Sequence, residues 1–78
     1  MGSSQLSNKI RRLRFDNCEM TQQQLADKAG VTRQTIIAIE SGKYTPSLLL
    51  AFRISRAFGL SVEEVFRYEG DDLQNNRG

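Results

Sequence analysis

Histidine and tryptophan are missing from this 78-residue chain, and cysteine and proline occur once each. A single cysteine excludes an internal disulfide, and without histidine no ordinary zinc site can be assembled. Cys18 reads as a small, partly buried filler rather than a reactive thiol, because no cationic pocket is specified around it. Long apolar runs are also lacking, and none approaches the ~18 residues a membrane span requires. Met1-Gly2-Ser3-Ser4-Gln5 is polar and has none of the features of a signal peptide, so a cytoplasmic location is expected. The length sets a ceiling of one domain, which buries only about 60% of its unfolded surface and has no room for a deep catalytic cleft. Asp27, Glu40, Glu63 and Glu64 are the only plausible acid–base groups in the expected folded body. None comes with an identifiable nucleophile or metal set, so no enzyme, cofactor or metal is expected.

Charge is scarce in net terms but unevenly spread. The formal total is +2. Residues 9–56 carry nine Lys/Arg against four Asp/Glu, whereas residues 57–78 carry two against five. A basic body with an acidic tail suits a polyanionic partner on one face, although an ordinary solvated surface explains the count equally well.

What the chain does have is a series of helix start and stop signals. Residues 21–43, TQQQLADKAGVTRQTIIAIESGK, read as two short helices joined by a tight turn. Thr21 and Gln24 have the spacing of a capping box, flanked by Met20 and Leu25 as a hydrophobic staple. Leu25, Ala26 and Ala29 supply the inner face, and Gly30 suits the left-handed position that ends such a helix. Thr32 caps the next helix, with Val31 and Ile36 at staple spacing, and Gly42 closes it. Advancing about 100° per residue from Arg33 separates two sides of this helix. Ile36, Ile39, Thr32 and Thr35 form the inner side, bordered by Glu40. Arg33, Gln34, Ile37, Ala38 and Ser41 face outward. Arg and Gln can each make bidentate contacts with base edges, and an apolar neighbour can touch a thymine methyl. At the Thr32 end, free helix N–H groups can meet phosphate.

The same reading predicts a first helix over about residues 8–16, with Ile10 and Leu13 inward. A fourth helix is capped by Thr45 with Pro46 at its first position. Leu48, Leu50, Ala51, Ile54, Ala57 and Phe58 are its expected inward residues. Leu49 and Phe52 are surplus to one stripe, either ordinary core neighbours or part of a subunit contact. Gly59 ends that helix. Ser61 and Glu64 form a second capping box, with Leu60 and Val65 as staple, for a short fifth helix stopping near Phe66. Phe66-Arg67-Tyr68-Glu69 alternates as a strand does.

The ordered set of Gln22, Leu25-Ala26, Gly30, Thr32-Arg33-Gln34, Ile36, Ile39-Glu40, Gly42-Lys43 and Thr45-Pro46-Ser47 resembles the phage-repressor/Cro-type, or Xre-like, helix-turn-helix family. The similarity runs over about residues 9–68. It implies an all-α, five-helix repressor-like DNA-binding domain at residues 8–69. A flexible segment (1–7) would precede it and a flexible acidic, polar tail (70–78) would follow. Either the strand-like segment pairs with Leu6-Ser7 in a short terminal sheet, or it is an extended tail with Phe66 docked on the core. The resemblance implies an inward-facing ion pair between Arg14 and Glu40, and a phosphate contact from Gln22 with Gln23 beside it. Arg33, Gln34 and Ile37 are the expected base readers on the helix at about residues 32–41. Lys43, Tyr44 and Thr45 are placed to touch the DNA backbone, and Tyr44 could equally pack on the fourth helix. Many relatives have one residue fewer before the capping threonine, so the connection at residues 17–20 is a departure. The expected function is sequence-specific double-stranded DNA binding as a transcriptional regulator, in particular a repressor. A homodimer on a pseudo-palindromic operator is expected, built on the fifth helix and the Phe66–Tyr68 segment, with no small-molecule ligand. The alternative is an antitoxin or protein-interaction adaptor on the same fold.

Overall fold

The computed structural model describes residues 6–69; the flexibility expected of residues 1–5 and 70–78 lies outside them. The order of elements is β1 (Leu6–Asn8), α1 (Ile10–Asp16), α2 (Gln22–Ala29), α3 (Arg33–Glu40), α4 (Leu48–Ala57), α5 (Val62–Val65) and β2 (Phe66–Tyr68). The two strands pair antiparallel, Leu6 opposite Tyr68 and Asn8 opposite Phe66. Leu6 and Ser7, grouped with the leading segment on sequence, are therefore the first two residues of β1.

The first helix starts later than the residue 8 expected from sequence, because Asn8 has a different task. Its Oδ1 accepts the Ile10 N–H at 3.1 Å, and its Nδ2 donates to the Ile39 carbonyl at 3.0 Å. One side chain thus satisfies an orphan donor at the start of α1 and adds a second bond to the Ile39 carbonyl, which also accepts the Gly42 N–H at the end of α3. Thr21 and Gln24 make the reciprocal capping box of α2, and Ser61 and Glu64 that of α5. Gly30, at φ 75°, completes the turn after α2. Val31 N–H donates to the Ala26 carbonyl and Gly30 N–H to that of Asp27, the paired bonds of a Schellman ending.

The connection after α1 runs through left-handed backbone. Cys18 and Glu19 lie at φ 59° and 55°. Two consecutive non-glycine residues there cost roughly 1–2 kcal/mol each. The turn returns Met20 N–H to the Arg14 carbonyl at 2.8 Å. Cys18 is exposed rather than partly buried, because this turn carries it outside the packed face.

The fourth helix departs from the sequence reading at its start. Ser47, not Thr45, is the cap; its Oγ accepts the Leu50 N–H at 3.1 Å. Serine ranks above threonine at this position, and Pro46 therefore lies ahead of the cap rather than at the first position of the helix. Leu48 is 72% exposed instead of inward. Ser55, seven residues on and in the same column of the helix, is buried, its hydroxyl donating to the Ala51 carbonyl at 2.8 Å. The core closes over the Ser55 end of that column and leaves the Leu48 end outside. Ser47→Ala should therefore cost about 1 kcal/mol in urea denaturation, and Thr45→Ala less than about 0.5. The reverse order would return the cap to Thr45.

Ile10, Leu25, Ala26, Ala29, Ile36, Ile39, Ile54 and Val65 make the centre of the core, with Met20, Leu50, Ala51 and Phe66 around them. α2 packs on both α3 and α4. Burying Ile36 and Ile39 contributes about 1.5–3 kcal/mol each. It also fixes the rotation of α3, and hence which of its residues remain outside.

Candidate nucleic-acid interface

With Ile36 and Ile39 sealed inside, Arg33 and Gln34 are exposed and Ile37 is 41% exposed on the far side of α3. Thr32 caps the helix; its Oγ1 accepts the Thr35 N–H and lies 3.0 Å from the Thr35 hydroxyl. That hydroxyl is engaged within the first turn of α3. After α3, Lys43 N–H and Tyr44 N–H both donate to the Ala38 carbonyl, and Lys43, Tyr44 and Thr45 are exposed. Tyr44, 48% exposed, is not packed away under α4. No described residue forms a side-chain hydrogen bond or ion pair with Arg33, Gln34 or Lys43.

The frame behind this face is charged. Arg14 Nε meets Glu40 Oε2 at 2.6 Å and Arg14 Nη2 meets Glu40 Oε1 at 3.2 Å, a two-pronged pair linking α1 to α3. The side chains are only 16% and 10% exposed. Arg14 Nη1 also donates to the Met20 carbonyl at 2.9 Å, and Gln22 Nε2 donates to Glu40 Oε1 at 3.2 Å. Glu40 thus holds the starting residue of α2 as well as α1. Gln23 donates within its own helix, to Asp27 Oδ1 at 2.9 Å.

Between α1, the connection after it and the helices α2 and α3 lies an open cleft of about 670 Å³, lined by Arg11, Arg14, Gln22, Gln23 and Arg33 and by the carboxylates of Glu19 and Glu40. The structure therefore brings Gln22, Gln23 and Arg33 together. Gln34 and Ile37 lie farther along α3, and Lys43, Tyr44 and Thr45 lie beyond its C-terminal end. Arg11 is an addition. Sequence reading counted it only as charge, though its place three residues before Arg14 puts it on the same side of α1.

A helix-turn-helix family model matches residues 10–65. The chain belongs to the Xre/Cro-type helix-turn-helix family. This helix-turn-helix chain is 60% identical over 53 residues to an uncharacterised HTH-type transcriptional regulator of Methanocaldococcus jannaschii, covering 68% of this chain and 80% of that one. It is 55% identical over 53 residues to one from Methanothermobacter thermautotrophicus, covering 67% and 77%. With the uncharacterised HTH-type regulator YgzD of Bacillus subtilis it shares 45% identity over 67 residues, covering 86% and 100%. DNA-binding transcriptional regulation is the function of the family. Within the helix-turn-helix unit, α2 and α3 are the paired helices, the Gly30 turn joins them, and Arg14 of α1 braces α3 through Glu40.

Proposed function

We infer that this protein is a sequence-specific double-stranded DNA-binding transcriptional regulator acting as a repressor, and that α3 enters the major groove. The observation that carries the reading is the outward grouping of Arg33, Gln34 and Ile37, opposite the buried Ile36 and Ile39. Arg33 takes guanine O6 and N7, Gln34 takes adenine N6 and N7, and Ile37 meets a thymine methyl. Gln22 gives one amide hydrogen to Glu40. The amide has a second hydrogen, which is assigned to a phosphate. Gln23, the Thr32 end of α3, Lys43, Tyr44 and Thr45 complete the backbone contacts, with Arg11 across the cleft. These contacts set the position of the domain on the duplex, and the base contacts set sequence.

One α3 reads few base pairs, so the working form is a homodimer on a pseudo-palindrome with half-sites about one helical turn apart. The location is cytoplasmic; among the described residues no helix is long and apolar enough to cross a membrane. Selection of sites from random DNA tests the proposal. An enriched inverted repeat is the expected result, and recovery of no preferred sequence at moderate salt would overturn it. Repression is tested by placing the selected site over a promoter. Lys43→Ala should weaken binding to all sequences alike and reduce the slope of log K against log salt by about one. A loss confined to the preferred site would make Lys43 a base reader instead.

A further inference from the structure

Beside the cleft that holds Arg33 lies a second groove, of about 740 Å³, between the outer strip of α1 and the connection after it. Met20, buried, and Phe15, 68% exposed, are its apolar part. Phe15 is four residues from Arg11 and three from Arg12, so the three side chains are neighbours on α1. Lys9, Arg11 and Arg12 are the exposed cations of the lining, and Glu19 is its carboxylate. Lys9 and Arg11 have no side-chain partner among the described residues. Arg12 lies 3.8 Å from Asp16 with both side chains exposed, a contact worth little. Arg14 also lines the groove but is committed to Glu40. We propose that this groove is a docking site for an acidic segment of a partner protein. The segment inserts a large apolar side chain beside Phe15 and sets flanking Asp or Glu residues against Lys9, Arg11 and Arg12. Its docking excludes DNA. The exclusion rests on the DNA-binding reading above; the docking does not.

Charge decides the sign of the occupant. Three exposed cations stand against one lining carboxylate, so an acidic segment is attracted where a basic one is repelled. Shape favours a segment over a small molecule, because the groove is open along one side, whereas small-ligand sites bury most of their ligand. A duplex backbone would use the cations and leave the ring without a task. A single strand is held by successive stacked aromatics, and this groove carries one ring. An apolar anchor with carboxylates around it uses both. Exclusion of DNA follows from the shared wall. Arg11, Arg14, Glu19 and Met20 line the groove and also the cleft that contains Gln22, Gln23 and Arg33. A carboxylate on Arg11 takes the cation assigned above to a phosphate, and sets negative charge where the duplex would lie.

The test uses the full chain and a synthetic peptide, acetyl-EEDFLDEE-amide, with EEDSSDEE and KKRFLRKK as controls. The first should bind with a Kd of about 10–100 µM, and both controls at least about 10-fold more weakly. Amide shifts on titration should centre on residues 9–20. Phe15→Ser should weaken the peptide by about 10-fold or more and leave operator affinity within about 2-fold. Arg33→Ala should do the reverse, losing the operator and keeping the peptide. Peptide at about ten times its Kd should weaken operator binding about 10-fold, as mutual exclusion requires, and EEDSSDEE at the same concentration should not. No binding up to about 1 mM, equal binding of EEDSSDEE, or shifts centred on another face overturns the docking site. A Phe15→Ser chain that loses operator affinity gives the groove to the duplex, and Phe15-dependent binding of an oligo-dT gives it to single strands. Shifts at residues 9–20 that follow the concentration of the chain itself give it to a second copy. Each of these three overturns the acidic partner. Peptide that binds as expected without displacing the operator overturns the exclusion alone. Peptide binding by a chain that prefers no DNA sequence keeps the docking site and overturns the regulator reading together with the exclusion.

Discussion

Glu40→Ala should destabilise the domain by about 3–5 kcal/mol, a large share of the 5–15 kcal/mol that holds an ordinary domain together. The reason is what the substitution leaves behind. Arg14 has an exposure of 16%, and Glu40 supplies both of its charged contacts. Without them a guanidinium stays desolvated with the Met20 carbonyl as its remaining acceptor. The Gln22 amide loses its partner as well. An exposed ion pair would cost no more than about 1 kcal/mol, so the magnitude separates the two cases. Removing both charges at once, as in Arg14→Met with Glu40→Leu, should cost far less than the single change, because neither charge is then stranded. Urea denaturation of wild type and the two variants measures this. A single-variant loss below about 1 kcal/mol would mean that the pair is solvated and does not brace α3.

That brace shows how much of the fold could be read in advance. Capping residues act within one turn, and their chemistry is local. Thr21, Thr32 and Ser61 therefore sit where their spacing placed them. The same holds for the buried stripes of α2 and α3, whose apolar residues recur at helical spacing. Strand pairing is open on the sequence alone because three residues have little periodicity; the ladder is settled by Lys9 N–H reaching the Val65 carbonyl at 2.9 Å and by Asn8 turning the chain into α1. Thr45-Pro46-Ser47 offers two caps two residues apart, and serine's stronger preference for that position together with the packing of α4 decides between them. Ser55 was missed because a serine carries no apolar signal, yet its hydroxyl is satisfied by its own helix and can be buried at little cost.

On the binding face, the side of α3 was legible because the core residues define its opposite. The partners of the side chains were not. Gln22 engages Glu40 and Gln23 engages Asp27, contacts that depend on how helices cross and on rotamers rather than on spacing. Arg11 belongs to the cleft through the position of α1, which no motif within residues 21–43 records.

Arg33→Ala should lower affinity for the selected operator by about 2–6 kcal/mol, or roughly 30-fold to 10⁴-fold, while random DNA loses far less. Each bidentate guanine contact is worth about 1–3 kcal/mol of discrimination, and a two-fold complex loses it in both half-sites. The competing assignment is physical as well: Arg33 opens α3 and edges the cleft shared with Arg11, Gln22 and Gln23, where a phosphate would sit. The two roles respond differently to Arg33→Lys. Lysine keeps the charge and loses the planar fork, so a phosphate contact survives the change and a guanine contact does not. Base reading therefore predicts that Arg33→Lys binds random DNA as wild type does and has a collapsed ratio of operator to random affinity. Both affinities are to be measured at one salt concentration, because the electrostatic part changes with it. Equal loss on operator and random DNA for Arg33→Ala, with full rescue by lysine, would move Arg33 to the phosphates and leave Gln34 and Ile37 as the readers of sequence.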